Sequence, residues 1–288
     1  MEINRRMATE NTGPFLLFLV IMTALSLAPM LSHSAVFWDD EMEEGTIGFN
    51  AADIASHIAR GAYSYDTSVK FSGTGSLRLN FPASCQPLEF GGAGCGGAAL
   101  RTFPATAEIY RRFYFRMSGT GPNATPSGEF EASMTAFTKL VRTLSEGLPR
   151  TWWSMGCCAK TGKTLVVSLE NSPPIPVQSA TNFYTSRVLQ NNTWYCIETR
   201  EKLNTPGVAD GIQQAWVDGL LVGIKSDYFT RGAGDTSLWT SFGIFRQTAR
   251  GNIWFDRYAA GDTRIGCLGA TSASDTTRPA PPRELVIR

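Results

Sequence analysis

Apolar and polar residues alternate along most of the chain. In Ser76–Phe81, Leu77, Leu79 and Phe81 share one face. In Ile109–Met117 one face carries Ile109, Phe113, Phe115 and Met117, interrupted by Arg111, and the other carries Tyr110, Arg112, Tyr114 and Arg116. Thr164–Glu170, Trp194–Leu203, Ile212–Asp218, Leu220–Ile224, Ser241–Arg246 and Asn252–Tyr258 repeat the pattern. Successive side chains of a strand point to opposite faces, so period two predicts strands with one buried face. Turn signals separate the runs: Asn191-Asn192, Asn204-Thr205-Pro206-Gly207, Asp210-Gly211 and Asp218-Gly219. The last of these sits between two β-rich runs and predicts a hairpin. Helical spacing occurs at Ala51–Arg60. Many short strands joined by turns predict an all-β fold, a sandwich or jelly roll of two antiparallel sheets.

The ends of the chain depart from this pattern. Arg5 and Arg6 precede an apolar run from Pro14 to Leu31, followed by the small residues Ser32, Ser34 and Ala35. A basic start, an apolar middle and a small-residue exit predict a signal peptide over residues 1–34, cleaved after Ser34 or Ala35. The expected location is therefore secreted, periplasmic or at the cell surface, with no membrane association after cleavage. Residues 271–288 are rich in Ser, Thr and Pro at their start and read as a solvated tail. The predicted domain is then 35–270. A formal net charge of +1 gives no global basic field, which argues against a nucleic-acid partner. Six cysteines in an exported chain are expected to pair. Cys85 and Cys95 flank a Gly-rich loop and are the first candidates for a bridge. Cys157, Cys158, Cys196 and Cys267 leave three connectivities open.

Trp194–Gly219 (WYCIETREKLNTPGVADGIQQAWVDG) resembles a pattern of the concanavalin A-like jelly-roll polysaccharide lyases, the alginate and glucuronan lyases and their relatives. Asp40–Gly45, Gly73–Leu77, Ile109–Tyr114, Trp254–Asp256 and Arg264–Gly266 resemble further pieces, so the likeness spans about residues 37–268. It implies a concanavalin A-like jelly roll. It also implies an acidic, uronate-containing polysaccharide as partner, bound and cleaved by β-elimination. A non-catalytic glycan-binding module uses the same scaffold, since fold does not dictate function.

Such a lyase needs cations to neutralise the uronate, a base for the C5 proton and an acid for the leaving oxygen. The row Tyr110, Arg112, Tyr114, Arg116 offers charge and stacking for an anionic sugar chain, with Tyr114 as a candidate catalytic group. Phe137–Leu140 resembles the segment that carries a catalytic lysine in the family, which implies that role for Lys139. The family's arginine position is Gly156, and no tyrosine pair follows, because Leu165–Ser168 stands there. Jelly-roll topology is expected to bring Arg246 and Gln247 into the groove of Lys139. Trp216 is a core residue or a sugar platform. Glu129 and Glu131 alternate onto one face, as in a laminarinase-type hydrolase, but Ser133 replaces the third acid. The likeness also implies a structural Ca²⁺ held by Glu43 and Asp256, with Asp39 or Asp40 nearby.

Overall fold

The computed structural model describes residues 36–45, 47–80, 97–118, 131–132, 138–145, 148, 150–156, 164–170, 183–246, 249–250 and 252–269. The chain divides into two units, Met1–His33 and Ser34–Arg288, and every described residue lies in the second.

Two antiparallel sheets make a jelly-roll sandwich. The first contains β1 (Val36–Asp40), β2 (Tyr63–Asp66), β3 (Ser76–Leu79), β5 (Glu108–Met117), β11 (Tyr195–Lys202), β12 (Gly211–Val217), β13 (Leu220–Tyr228) and β16 (Ile253–Gly261). Its order is β13-β12-β11-β5-β16-β3-β2, with β1 also paired to β16. The second contains β4 (Gly97–Thr106), β7 (Thr138–Leu144), β8 (Arg150–Gly156), β9 (Thr164–Glu170), β10 (Phe183–Tyr184) and β14 (Trp239–Arg246), in the order β10-β9-β8-β7-β14-β4. A short pair, β6 (Glu131–Ala132) with β15 (Ala249–Arg250), stands apart. The helix α1 (Ala51–Ala59) begins at Asn50, whose side chain accepts the N–H groups of Ala52 and Asp53, satisfying donors that a first turn leaves open.

The alternation read from sequence is the alternation of the sandwich. Ile109, Phe113, Phe115 and Met117 of β5 enter the core with Phe242 and Ile244 of β14 and Trp153 and Met155 of β8. Tyr258 stacks on Phe242 across the two sheets at 5.5 Å, 4° from parallel. The interrupting Arg111 is fully buried in this core and pairs with Glu201, and Glu201 also accepts Trp153 Nε1–H at 2.9 Å from the second sheet. The Asp218-Gly219 hairpin joins β12 to β13 with φ of +52° and +81°, the left-handed pair that a two-residue hairpin turn needs.

The motif Asn204–Asp210 is a structural knot. Asn204 is fully buried; its side-chain oxygen accepts from Thr230 N, Thr230 Oγ1 and Arg231 N. Its amide donates to the carbonyls of Thr205, Val208 and Arg231. Gly207, at φ +84°, lies where a Cβ would meet Ala233 at 3.2 Å.

The architecture corrects one sequence expectation. Tyr110, Arg112 and Tyr114 lie on the first sheet, whereas Lys139 and Arg246 lie on the second. The sequence reading has one concave sheet present all five; they are instead split between sheets whose inner faces meet in a common core.

Candidate functional site

The outer face of β5 is roofed by the chain that follows β16. Cys267 forms a disulfide with Cys196 of β11, which stands opposite Tyr114 in register. Glu198, next on the same face and 1% exposed, accepts the N–H groups of Ile265 at 2.6 Å and Gly266 at 3.3 Å. Tyr114 accepts the N–H of Leu268 at 2.7 Å, and Phe71 stacks on its ring at 3.6 Å. Burial raises the Tyr114 phenol's pKa. With its hydroxyl engaged and 3% of its surface exposed, Tyr114 does not offer the acid–base group expected of it. Arg112 is equally covered, 3.3 Å from Asp39, with burial lowering its pKa. Trp216 lies between Tyr110 at 6.4 Å and the Arg264 guanidinium at 4.8 Å, 7% exposed, a packed position rather than an open platform. Tyr110 carries the Arg200 cation over its ring, and desolvation pushes its pKa up to about 12. Arg116 is half-buried, stacked over Trp254 at 5.4 Å. The sequence read this row's faces correctly, but a covering segment more than a hundred residues away in sequence leaves no period of its own.

The outer face of the second sheet holds the other candidates. Lys139 stands opposite Ser154, and after a register shift Val141 stands opposite Trp153 and Arg142 opposite Trp152. Without that bulge, residues three apart would fall on opposite faces. With Leu140 and Val141 both in the core, Lys139 and Arg142 come to one side. Their charges meet one indole: Lys139 Nζ lies 4.3 Å and the Arg142 guanidinium 5.4 Å from the Trp152 ring centroid. Phe245 packs against Trp152 at 4.9 Å and against Arg142 at 5.6 Å. Arg142 was not singled out by the sequence, because strict alternation assigns it to the wrong face; Trp152 and Phe245, on β8 and β14, were missed as well.

Two expectations for this groove change. Arg246 follows Phe245 and shares the strand parity of the core residues Phe242 and Ile244. Its register position is thus not that of the Lys139 face. Gln247 lies outside the described residues, as do Cys85, Cys95, Cys157, Cys158 and Glu129. Glu131 lies in β6, apart from both large sheets. The structure also adds a residue: across the second sheet the pairs Lys139–Ser154, Ser154–Val166 and Val166–Tyr184 form one register row. Tyr184 was missed because its strand is two residues long.

Glu43 and Asp256 converge on one loop, residues 71–74, and bind it directly. Asp256 Oδ2 accepts Phe71 N at 2.7 Å and Ser72 N at 3.3 Å. Glu43 accepts Thr74 N at 2.5 Å and Thr74 Oγ1 at 2.7 Å. Asp40 is taken up by the N–H groups of Met42 and Gly48. Among the described residues no group of three or more His, Cys, Asp or Glu could hold a metal ion. Asp256 and Glu43 thus hold the loop through its N–H groups, and the Ca²⁺ expected at them is untested by this geometry. Burial outweighs the loop's N–H groups at Asp256 and pushes its pKa up to about 6. His57 is buried on α1, accepts from Arg60 at 2.8 Å and packs on Tyr63, as a structural residue does. Among the described residues no helix is long and apolar enough to cross a membrane.

No family model matches the chain, and no curated protein matches it. Solved structures do. An endo-β-1,4-glucuronan lyase from the fungus Trichoderma reesei is 13% identical, over 80% of this chain and 96% of that one, with a TM-score of 0.47. An alginate lyase variant solved with an alginate tetrasaccharide is 14% identical over 80% and 98%, with a TM-score of 0.48. An alginate lyase from Aplysia kurodai is 11% identical over 79% and 99%, with a TM-score of 0.49. The chain is similar to polysaccharide lyases of jelly-roll type. At such identities and TM-scores the likeness carries no argument about activity, and the fold rests on the two sheets described above.

Proposed function

We propose that this chain binds an acidic, uronate-containing polysaccharide along the outer face of the second sheet. The observation that carries the reading is the bulge at Leu140, which sets Lys139 and Arg142 together against Trp152. Cations held against an aromatic face are positioned in advance, so little side-chain freedom is lost when a carboxylate docks. Arg142 supplies a planar fork for bidentate contact and Lys139 a point charge. The basic, apolar and small-residue segments of 1–34 support export, which would place the domain where such polysaccharides occur.

A second reading, β-elimination, is favoured by the Lys139–Tyr184 row. Three steps between neighbouring strands make it roughly 14 Å long. In that reaction a base removes the C5 proton, the electron pair forms the C4–C5 double bond, and the C4–O bond breaks. The leaving oxygen then takes a proton. Lys139 would offset the charge that builds up on the uronate, and Tyr184 would exchange the proton.

Calorimetric titration of oligoglucuronate and oligoalginate into the purified protein tests the binding. Lys139→Ala with Arg142→Ala is expected to weaken it at least about tenfold, the scale of one lost charge-assisted contact. Wild-type affinity in that double variant would refute the site. Absorbance of unsaturated uronates, present in wild type and lost in Tyr184→Phe, would establish cleavage; binding without any rise leaves a non-catalytic glycan-binding module.

A further inference from the structure

The clamped loop 71–74 holds an aromatic ring out on the face of the sandwich away from Lys139. Phe71 is 38% exposed, and one side of its ring is taken by Tyr114 at 3.6 Å and 17° from parallel. Its other side is therefore the open one. The backbone beneath it is fixed from two directions, by Asp256 at Phe71 and Ser72 and by Glu43 at Thr74. Ser76 Oγ donates to Val69 O at 2.5 Å and closes the loop's base. The Trp194 ring stands 6.2 Å from Phe71 at 67°, forming a wall to the platform. Leu268, 37% exposed, donates its backbone N–H to the Tyr114 hydroxyl. Arg116 is the next outward position on β5 after Tyr114, and its guanidinium lies over Trp254.

A single exposed apolar side chain needs no explanation. A ring backed by a second ring, walled by a third and mounted on a backbone held by two carboxylates is different. One of those carboxylates is buried, which is costly for the charged form. Rigid aromatic surface stacked on Tyr114, with a fixed cation at the next position on the same strand face, suits a pyranose: the sugar's apolar C–H face would lie on Phe71 and an acidic substituent would turn to Arg116. We propose that Phe71, Trp194 and Arg116 form a second glycan subsite, taking an acidic sugar residue on the outer face of the first sheet. This rests on the reading of the chain as a glycan-binding protein, and it adds a site on the opposite side of the sandwich from Lys139 and Arg142.

The test uses calorimetry with a hexameric oligoglucuronate as probe and a neutral β-glucan hexamer as control. In the Lys139→Ala/Arg142→Ala background a residual binding event should persist. Phe71→Ala should weaken it about tenfold, from the lost burial of one aromatic face. Phe71→Leu keeps an apolar cover on Tyr114 while removing the ring, and should weaken it as much; Phe71→Tyr should restore it. Arg116→Ala should weaken the oligoglucuronate and leave the neutral control unchanged. The subsite is overturned if no residual binding persists, or if Phe71→Leu, melting at the wild-type temperature, binds unchanged. In both cases binding through Lys139 and Arg142 in the otherwise wild-type chain would still stand, so the two readings fail separately. Absence of any binding by the wild type overturns both.

Discussion

Replacing Asp256 with Asn isolates what a buried carboxylate does to the loop it holds. Asp256 is fully buried, and its Oδ2 accepts two N–H groups from Phe71 and Ser72. Burial pushes its pKa from 3.8 up to about 6. A carboxyl with a raised folded-state pKa favours folding most when protonated. That contribution is complete below 3.8 and is lost as pH rises through about 6. A shift of about two units is worth on the order of 3 kcal/mol, an upper bound if water reaches the group on loop opening. Asparagine keeps an oxygen acceptor for the loop and carries no charge to bury. Urea melts of both proteins at steps from pH 3.5 to 8 give the difference in stability directly, since other groups titrate alike in each. The wild type should lose ground to Asp256→Asn as pH rises between 4 and 7, ending less stable by about 2–3 kcal/mol. A variant less stable than wild type at pH 8, or a difference that does not change with pH, would refute the reasoning. A calcium-dependent rise in wild-type melting temperature that the Asn variant lacks would instead make Asp256 a metal ligand and not a clamp.

Two further outcomes follow from packing. Asn204→Ala removes a side chain whose oxygen and amide serve six partner groups, four of them on the buried Thr230 and Arg231; the loss should be about 3–5 kcal/mol by urea melts, with Asn204→Asp recovering part through the retained oxygen. Breaking Cys196–Cys267 by Cys267→Ser opens a bridge spanning 71 residues, worth about 4 kcal/mol in chain entropy. If the bridge holds the roof, the same variant should make Tyr114 accessible to tyrosine-specific modification, and unchanged labelling would show that Glu198 and Phe71 hold it without the bridge.

The outline of the fold was legible because strand alternation is local. Core faces on β3, β5, β11 and β16, the Asp218-Gly219 hairpin and the short helix all follow from residue types two or four apart. The site was legible in part, and the losses have physical causes. The bulge at Leu140 reverses the parity of the rest of β7, which hid Arg142 while leaving Lys139 visible. Tyr110, Arg112 and Tyr114 were placed on the right face, but nothing in β5 records that residues 262–268 and Phe71 lie over it. Charged rows on an exposed face and on a roofed one read alike. The clamps made by Glu43 and Asp256 were seen as acids near one another, and the N–H groups that occupy them belong to a loop whose conformation no periodicity announces.

The Arg111–Glu201 pair has a consequence for how the two sheets find each other. Glu201 reaches Trp153 across the core, so its position is matched to one place on the facing sheet. Sliding either sheet by a residue would leave Arg111 and Glu201 paired within the first sheet but part the buried carboxylate from the Trp153 N–H, at a cost of about 1–3 kcal/mol for the lost hydrogen bond to a charged group. Hydrophobic side chains tolerate many neighbours; the buried indole N–H of Trp153 needs its acceptor in one place. The sandwich thus carries its own alignment mark, set by the penalty on every other stacking and not by the strength of the attraction in the right one.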